Sequence, residues 1–145
     1  MSRIKVNLPE NFSFSTKIPV RITDVNYGGH VGNDAVLSIL HEVRMQFLKS
    51  MHFTELNFGG AALIMSDVGI EFRSEVFYGE VLTAKVAVGE IGRVAFDIFY
   101  LITKEVNGSE LIVAAAKTGM VCYSYEFKKV IAIPEEAKKK LASHI

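Results

Sequence analysis

The fold is decided by the stretch TDVNYGGHVGND, residues 23–34, and by the run AVLSILHEVRMQFL, residues 35–48, that follows it. The first run places carboxylates, amides, a histidine and three glycines within twelve positions. The second is helical, because apolar residues recur in it at helical spacing as Val36, Leu40, Val43 and Phe47, a stripe widened by Leu37, Ile39 and Leu48. The pattern predicts a core helix over residues 33–51, which begins either at an elaborate turn or at an active site.

The rest of the chain is typical of β-structure. The segment STKIPVRIT, residues 15–23, alternates between apolar and polar residues, and Pro19 suits an edge strand. After the helix, four long runs are rich in Val, Ile, Phe and Tyr: 61–74, 80–91, 93–106 and 110–127. Asn107-Gly108 predicts a hairpin turn, and Pro134 the first turn of a short final helix. Strands segregated from one long helix indicate an α+β fold, with an antiparallel sheet packed on that helix in a single domain, residues 1–145.

Composition narrows the possible partners. Sixteen basic and sixteen acidic residues cancel, so nothing favours binding to nucleic acid. Half of the residues are hydrophobic, which favours burial of surface in an oligomer. The sequence shows no signal peptide and no apolar run long enough for a membrane span. The single cysteine, Cys122, fits a buried strand residue in a cytoplasmic protein.

The polar run has the chemistry of attack on a carbonyl group. Glycines let the backbone approach a ligand closely, and the N–H groups at a helix start favour an anion or a developing oxyanion. Asp24, His30 and Asp34 supply acid–base groups beside that point. The structural alternative is a turn that ends in a helix cap, with Asn33 as the N-cap and Asp34 opposing the helix dipole.

Two segments resemble a known family. The run RITDVNYGGHVGNDAVLSILHEVR, residues 21–44, resembles the signature of the hotdog-fold acyl-CoA thioesterases related to 4-hydroxybenzoyl-CoA thioesterase. The residues that match are Gly29, His30, Val31 and Asn33 in the turn, and Glu42 and Arg44 on the helix. The later run FRSEVFYGEVLTAKV, residues 72–86, resembles the second recognisable stretch of that family.

The resemblance implies a hotdog fold, with an antiparallel sheet wrapped around one long helix, and hydrolysis of an acyl-CoA thioester. It implies catalytic roles for Asp24, Asn26, His30 and Asp34, and substrate contacts for Tyr27, Gly29, Asn33 and Glu42. Coenzyme A would be part of the substrate, so no cofactor is expected, and the histidine spacing predicts no metal site. A homodimer or dimer of dimers, with sites at the protomer interface, is also implied.

One position departs from the family. Aligned on Gly29-His30-Val31, the first aspartate of the family falls on Asp24, but its catalytic second aspartate falls on Asn26. An amide cannot act as a carboxylate base. Either Asp24 takes the catalytic place across a longer turn, as the likeness to plant acyl-carrier-protein thioesterases suggests, or Asn26 orients the carbonyl or a water. In the second case Asp34 or Glu42 would be the base.

Structural roles are open for the same side chains, and other functions are open for the chain. Asp24 could cap the turn, Asn26 and Tyr27 could be turn residues, and His30 could hold the turn together. Glu42 could pair with a surface cation, and Arg44 is expected in a structural ion pair. The alternatives to hydrolysis are a hotdog hydratase or dehydratase, and a non-catalytic protein that binds an acyl thioester or another small ligand.

Overall fold

Antiparallel strands form one sheet in the computed structural model, which describes residues 2–145. The strands are β1 Phe14–Pro19, β2 Ala62–Phe72, β3 Val81–Ile91, β4 Ala95–Val106, β5 Ser109–Ser124 and β6 Lys129–Val130. The helices are α1 Asn33–Ser50 and α2 Glu135–Ala142. The strand order is β1-β3-β4-β5-β2, and β6 adds to β5. The predicted α+β class, with one long helix and an antiparallel sheet, is confirmed.

Helix α1 contributes its apolar stripe to the core. Leu40, Val43 and Phe47 are fully buried, as the spacing predicts. Leu37 was expected to widen this stripe, but its side chain is 38% exposed. The outer side of α1 is therefore open in the single chain, since the sheet covers only one face of the helix.

A polar network lies under α1. Arg44 is buried, and its Nε donates to Glu55 Oε2 at 3.2 Å, which confirms the predicted ion pair. Its Nη1 donates to the Tyr100 hydroxyl at 3.3 Å, and that hydroxyl lies 2.7 Å from Thr118 Oγ1. Burial alone would lower the pKa of Arg44, but Tyr100 and Glu55 outweigh burial and raise it. The network joins α1 to β4 and β5.

The first strand is shorter than predicted. It ends at Pro19, and the chain then makes a single 3-10 turn over Ile22–Asp24. The alternation of residues 15–23 predicts Ile22 on the buried face of the strand, but Ile22 is 66% exposed. The turn forms because the Asp24 carboxylate accepts hydrogen bonds from the Arg21 backbone and side chain. Because sheet pairing has ended, alternation no longer decides which side chains are buried.

Other local predictions are confirmed. Asn107 and Gly108 both have positive φ, 52° and 80°, and join β4 to β5 as a tight hairpin turn. Pro19 lies on an edge strand, and α2 begins immediately after Pro134. Within residues 2–145, no helix has the length and apolar character that crossing a membrane requires.

Candidate active site

The polar run before α1 folds into a small hairpin. The Asn26 N–H donates to His30 O at 3.0 Å, and the Gly29 N–H donates to Asn26 O at 3.0 Å. Gly29 has φ 86°, a conformation that favours glycine. The Val31 N–H donates to Val76 O at 2.8 Å, so the hairpin is fixed to the segment that follows β2. This contact joins the two stretches on which the family resemblance rests.

Helix α1 begins without a side-chain cap. Gly32 is the N-cap residue, with φ −74° and ψ 156°, so the prediction that Asn33 is the cap is wrong. The Gly32 N–H donates to Asp24 O at 3.3 Å, and its carbonyl accepts the Val36 N–H at 3.1 Å, which sets the helix start one residue earlier. Within residues 2–145, no acceptor is found for the N–H groups of Asn33, Asp34 and Ala35. Such a helix end attracts an anion or an oxyanion.

Two polar side chains lie close to Gly32 at the start of α1, where a side chain at residue 32 would otherwise be. A Cβ built at this residue would lie 2.6 Å from Asp34 Oδ1 and 3.4 Å from Asn26 Nδ2. The oxygen of the same amide already has a hydrogen-bond donor, because Asn26 Oδ1 accepts the Gly28 N–H at 2.9 Å. We call this arrangement of Asn26, Gly32 and Asp34 the cradle. It places one amide donor and one carboxylate beside the free N–H groups of α1.

A cavity of about 290 Å³ opens next to the cradle. Val31 and Asn33, the chain neighbours of Gly32, line it together with His30 and Val36. His30 Nδ1 lies 3.2 Å from Val31 O. Because a carbonyl oxygen only accepts, this contact assigns the proton to Nδ1 and leaves Nε2 as the acceptor in the neutral ring. The cavity thus combines an imidazole, an amide and an apolar floor.

The structure separates Asp24 from this cavity. Asp24 is 5% exposed, and its carboxylate accepts from the Arg21 N–H at 2.8 Å and from Arg21 Nη2 at 3.2 Å. It lines a different cavity, of about 180 Å³, which Glu42 also lines. Glu42 accepts from Gln46 Nε2 at 2.8 Å, and among residues 2–145 no cation forms an ion pair with it, so the alternative of a surface ion pair is not found. Tyr27 lies at the hairpin tip with its side chain fully exposed.

The opposite wall of the cavity is not predicted by the sequence. This wall consists of Phe72, Arg73, Ser74, Glu75, Val76 and Val113. Glu75 is the acidic residue among them, and its main-chain oxygen accepts from Lys104 Nζ at 2.7 Å. The resemblance of residues 72–86 to the family was the available signal, but it does not show which side chains face the hairpin.

The described residues offer no group of three His, Cys, Asp or Glu side chains placed to hold a metal ion. Cys122 is fully buried in β5, and burial raises the pKa of its thiol to about 11. A thiol in this state is a poor nucleophile. The groups gathered around the start of α1 are the amide, carboxylate, imidazole and backbone groups described above.

Solved thioesterase structures share this architecture. A thioesterase-superfamily structure from Jannaschia sp. CCS1 is 19% identical, with TM-score 0.81 over 94% of this chain and 85% of that chain. A 1,4-dihydroxy-2-naphthoyl-CoA thioesterase from Synechocystis is 22% identical, with TM-score 0.79 over 89% and 95%. An aspartate-to-asparagine mutant of 4-hydroxybenzoyl-CoA thioesterase, complexed with 4-hydroxybenzoyl-CoA, is 15% identical, with TM-score 0.78 over 87% and 96%.

These likenesses confirm the hotdog fold, with its sheet packed on one long helix. The family to which the chain belongs is shown by its sequence rather than by these structures. The chain belongs to the thioesterase-like superfamily, whose family model matches residues 20–141. No curated protein matches the chain. Membership of this superfamily supports hydrolysis of thioesters as the general activity.

Proposed function

We propose that this protein hydrolyses an acyl-CoA thioester to a free acid and CoA. The observation that carries the proposal is the cradle, because it places the Asp34 carboxylate and the Asn26 amide beside the uncapped start of α1. Catalysis of acyl transfer needs donors aimed at the developing oxyanion and a base for the nucleophile. The candidate oxyanion donors and the candidate base all lie around the start of α1, next to one cavity.

The proposed mechanism uses this arrangement directly. The thioester carbonyl accepts hydrogen bonds from the free N–H groups of α1, which polarises the carbon. Asp34 takes a proton from water as the water oxygen bonds to that carbon, and Asn26 Nδ2 orients the water or the carbonyl. The tetrahedral intermediate then collapses, the carbon–sulfur bond breaks, and CoA leaves as a thiolate that gains a proton. His30 and Asn33 contact the substrate at the cavity wall.

Asp24 has a structural role in this proposal. Its carboxylate is buried and accepts hydrogen bonds from two Arg21 donors, which holds the 3-10 turn in place before the hairpin. Glu42 lies more than two helical turns from the start of α1 and outside the His30 cavity. Glu75 is the carboxylate that lines the cavity itself, and it could serve in place of Asp34, which lies beside the cavity at the start of α1.

We further propose a homodimer formed through β2, with a dimer of dimers as the larger assembly. Strand β2 is an edge of the sheet, and Ile64, Met65 and Val68 on it are each close to 40% exposed. Edge strands with exposed apolar side chains tend to pair with another strand. The end of β2 also lines the cavity, so a partner paired here would lie next to the site. A single cytoplasmic domain, residues 1–145, completes the proposal.

The test is release of free thiol from a panel of short, long and aromatic acyl-CoAs. Asp34→Asn should lower kcat/KM by at least ~10²-fold, the usual scale for a general base. Asp24→Asn should lower thermal stability with a much smaller change in rate. If Asp34→Asn keeps full activity while Glu75→Gln loses it, the base is Glu75; loss in Asp24→Asn alone would return the role to Asp24. No thiol release from any substrate would refute the hydrolase proposal.

The second candidate is a protein that binds an acyl thioester without cleaving it. Asn26 favours it, because an amide stands where the family has its catalytic aspartate. Saturable binding of an acyl-CoA, with no thiol release over hours, would support this function. A change in the absorbance of an unsaturated acyl-CoA without thiol release would instead indicate a hydratase.

A further inference from the structure

A second cavity continues from the candidate active site along the N-terminal segment. It measures about 560 Å³ and shares Phe72 and Arg73 with the active-site cavity. Its outer wall is formed by Arg3, Ile4 and Lys5. A molecule that occupied the active site could therefore extend past the end of β2 without leaving the protein surface.

The N-terminal segment is held against β2, although it has no regular secondary structure. The Val6 N–H donates to Glu71 Oε1 at 3.2 Å. Ile4 Cγ2 lies 3.8 Å from the point that a Cβ of Gly69 would occupy, an ordinary van der Waals distance, so the segment lies close to the strand at this residue. These two contacts fix the residues on either side of Lys5, and they set its place beside the strand.

The second cavity carries excess positive charge in a chain whose formal net charge is zero. Arg3, Lys5 and Arg73 line it, and the acidic residue among its lining residues is Glu71. Glu71 is engaged by Arg73, whose Nε lies 2.6 Å from Glu71 Oε2. Within residues 2–145, neither Arg3 nor Lys5 forms an ion pair. Arg3 and Lys5 are therefore available to bind an anionic ligand that would enter the cavity.

The separation of the two cavities matches the length of a phosphopantetheine arm. Such an arm has about 13 bonds between sulfur and phosphorus, which is comparable to four residues of extended chain, or ~14 Å. Ser74 lines the active-site cavity and Ile70 lines the cationic cavity. The four residues of extended chain that separate them span ~13 Å. A thioester carbonyl at the start of α1 would thus leave its phosphates near the N-terminal segment.

Resting on the acyl-CoA hydrolysis proposed above, we propose that Arg3, Lys5 and Arg73 bind the phosphate groups of the CoA nucleotide. The pantetheine arm then passes Phe72, whose side chain is 43% exposed, into the active-site cavity. Arginine and lysine are suited to this role because charge-assisted hydrogen bonds to phosphate are stronger than neutral ones. The N-terminal segment becomes part of the substrate site.

The test compares the double variant Arg3→Ala/Lys5→Ala with the control Lys138→Ala/Lys139→Ala. The control removes the same number of exposed positive charges, but it removes them from α2, which is distant in sequence from the residues that line the cavity. Calorimetry with CoA itself as the ligand gives the dissociation constant without any need for turnover. The ratio of kcat/KM for an acyl-CoA to that for the matching acyl-pantetheine, which lacks the nucleotide, gives the contribution of the phosphates to catalysis.

We expect Arg3→Ala/Lys5→Ala to raise the dissociation constant for CoA about tenfold at low salt, as for two exposed charge contacts, and to lower the kcat/KM ratio similarly. The difference should shrink as salt is added. If neither substrate is hydrolysed but the variant still binds CoA more weakly, the phosphate site stands and the hydrolase proposal fails. Equal CoA binding by both double variants, or no CoA binding by the unmodified protein, would overturn the phosphate site.

Discussion

Gly32→Ala tests the cradle with little disturbance of the fold. Gly32 has φ −74°, which alanine adopts without strain, so the cost at this N-cap should stay below about 1 kcal/mol. The new Cβ would lie 2.6 Å from Asp34 Oδ1, whereas ordinary contact begins at 3.4 Å. The carboxylate must therefore move by about 0.8 Å, and misplacement of a catalytic group by ~1 Å can lower a rate by ~10²-fold.

We expect Gly32→Ala to lower kcat/KM by about 10- to 100-fold, measured by thiol release, with a small change in Tm. Gly108→Ala is the matched control. Gly108 has φ 80° and no heavy atom within 4 Å of a built Cβ, so alanine there should cost about 1–2 kcal/mol through backbone strain alone and leave the rate unchanged. Full activity in Gly32→Ala would refute the role of Asp34, because its carboxylate cannot keep the present position beside a methyl group.

Three further predictions follow from buried groups. Tyr100→Phe removes a hydroxyl that contacts Arg44 and Thr118, so we expect urea unfolding to show a loss of about 1–3 kcal/mol; an unchanged value would contradict the network. With a pKa of about 11, Cys122 is about one part in a thousand thiolate at pH 8, so a disulfide reagent should label it only after denaturation. Burial lowers the pKa of His144, so the unfolded chain binds its proton more readily. The free energy of unfolding should therefore fall as pH drops through ~6.5, and His144→Asn should weaken that dependence.

Local patterns predicted the elements of the fold, because local physics decides them. The spacing of Val36, Leu40, Val43 and Phe47 predicts the buried face of α1 without knowledge of the sheet. Asn107-Gly108 predicts its hairpin because few other pairs adopt positive φ twice. Local patterns do not predict the structure where long-range contacts determine it. Ile22 fits a strand, but the strand has already ended at Pro19.

The N-cap of α1 is a second feature that long-range contacts decide and that local patterns do not predict. Asn33 and Gly32 are both acceptable N-caps by residue type. The choice depends on Asp24, whose carbonyl accepts the Gly32 N–H, and on Asp34, whose carboxylate occupies the space that a side chain at residue 32 would enter. The opposite cavity wall, including Glu75, comes from a segment more than 40 residues later in the chain. No spacing rule within the hairpin could have found it.

Asn26→Asp decides between the two candidate functions, because it puts a carboxylate where the resemblance implies the catalytic aspartate of the family. The change is nearly isosteric, and Oδ1 can still accept the Gly28 N–H. It places a second carboxylate no more than about 6 Å from Asp34, since both atoms flank the same point. At that distance the repulsion is roughly 0.7–3 kcal/mol, depending on the local dielectric, and it opposes ionisation of both carboxyls together.

If Asp34 is the base, Asn26→Asp should move the acidic limb of the pH–rate profile to higher pH, with slower turnover near neutral pH. If the natural protein only binds its ligand, the variant should gain thiol release that the natural protein lacks. An active natural protein whose profile is unmoved in Asn26→Asp would show that the two carboxylates do not interact. The cradle would then not be the reacting centre, and Glu75 would be the carboxylate to replace next.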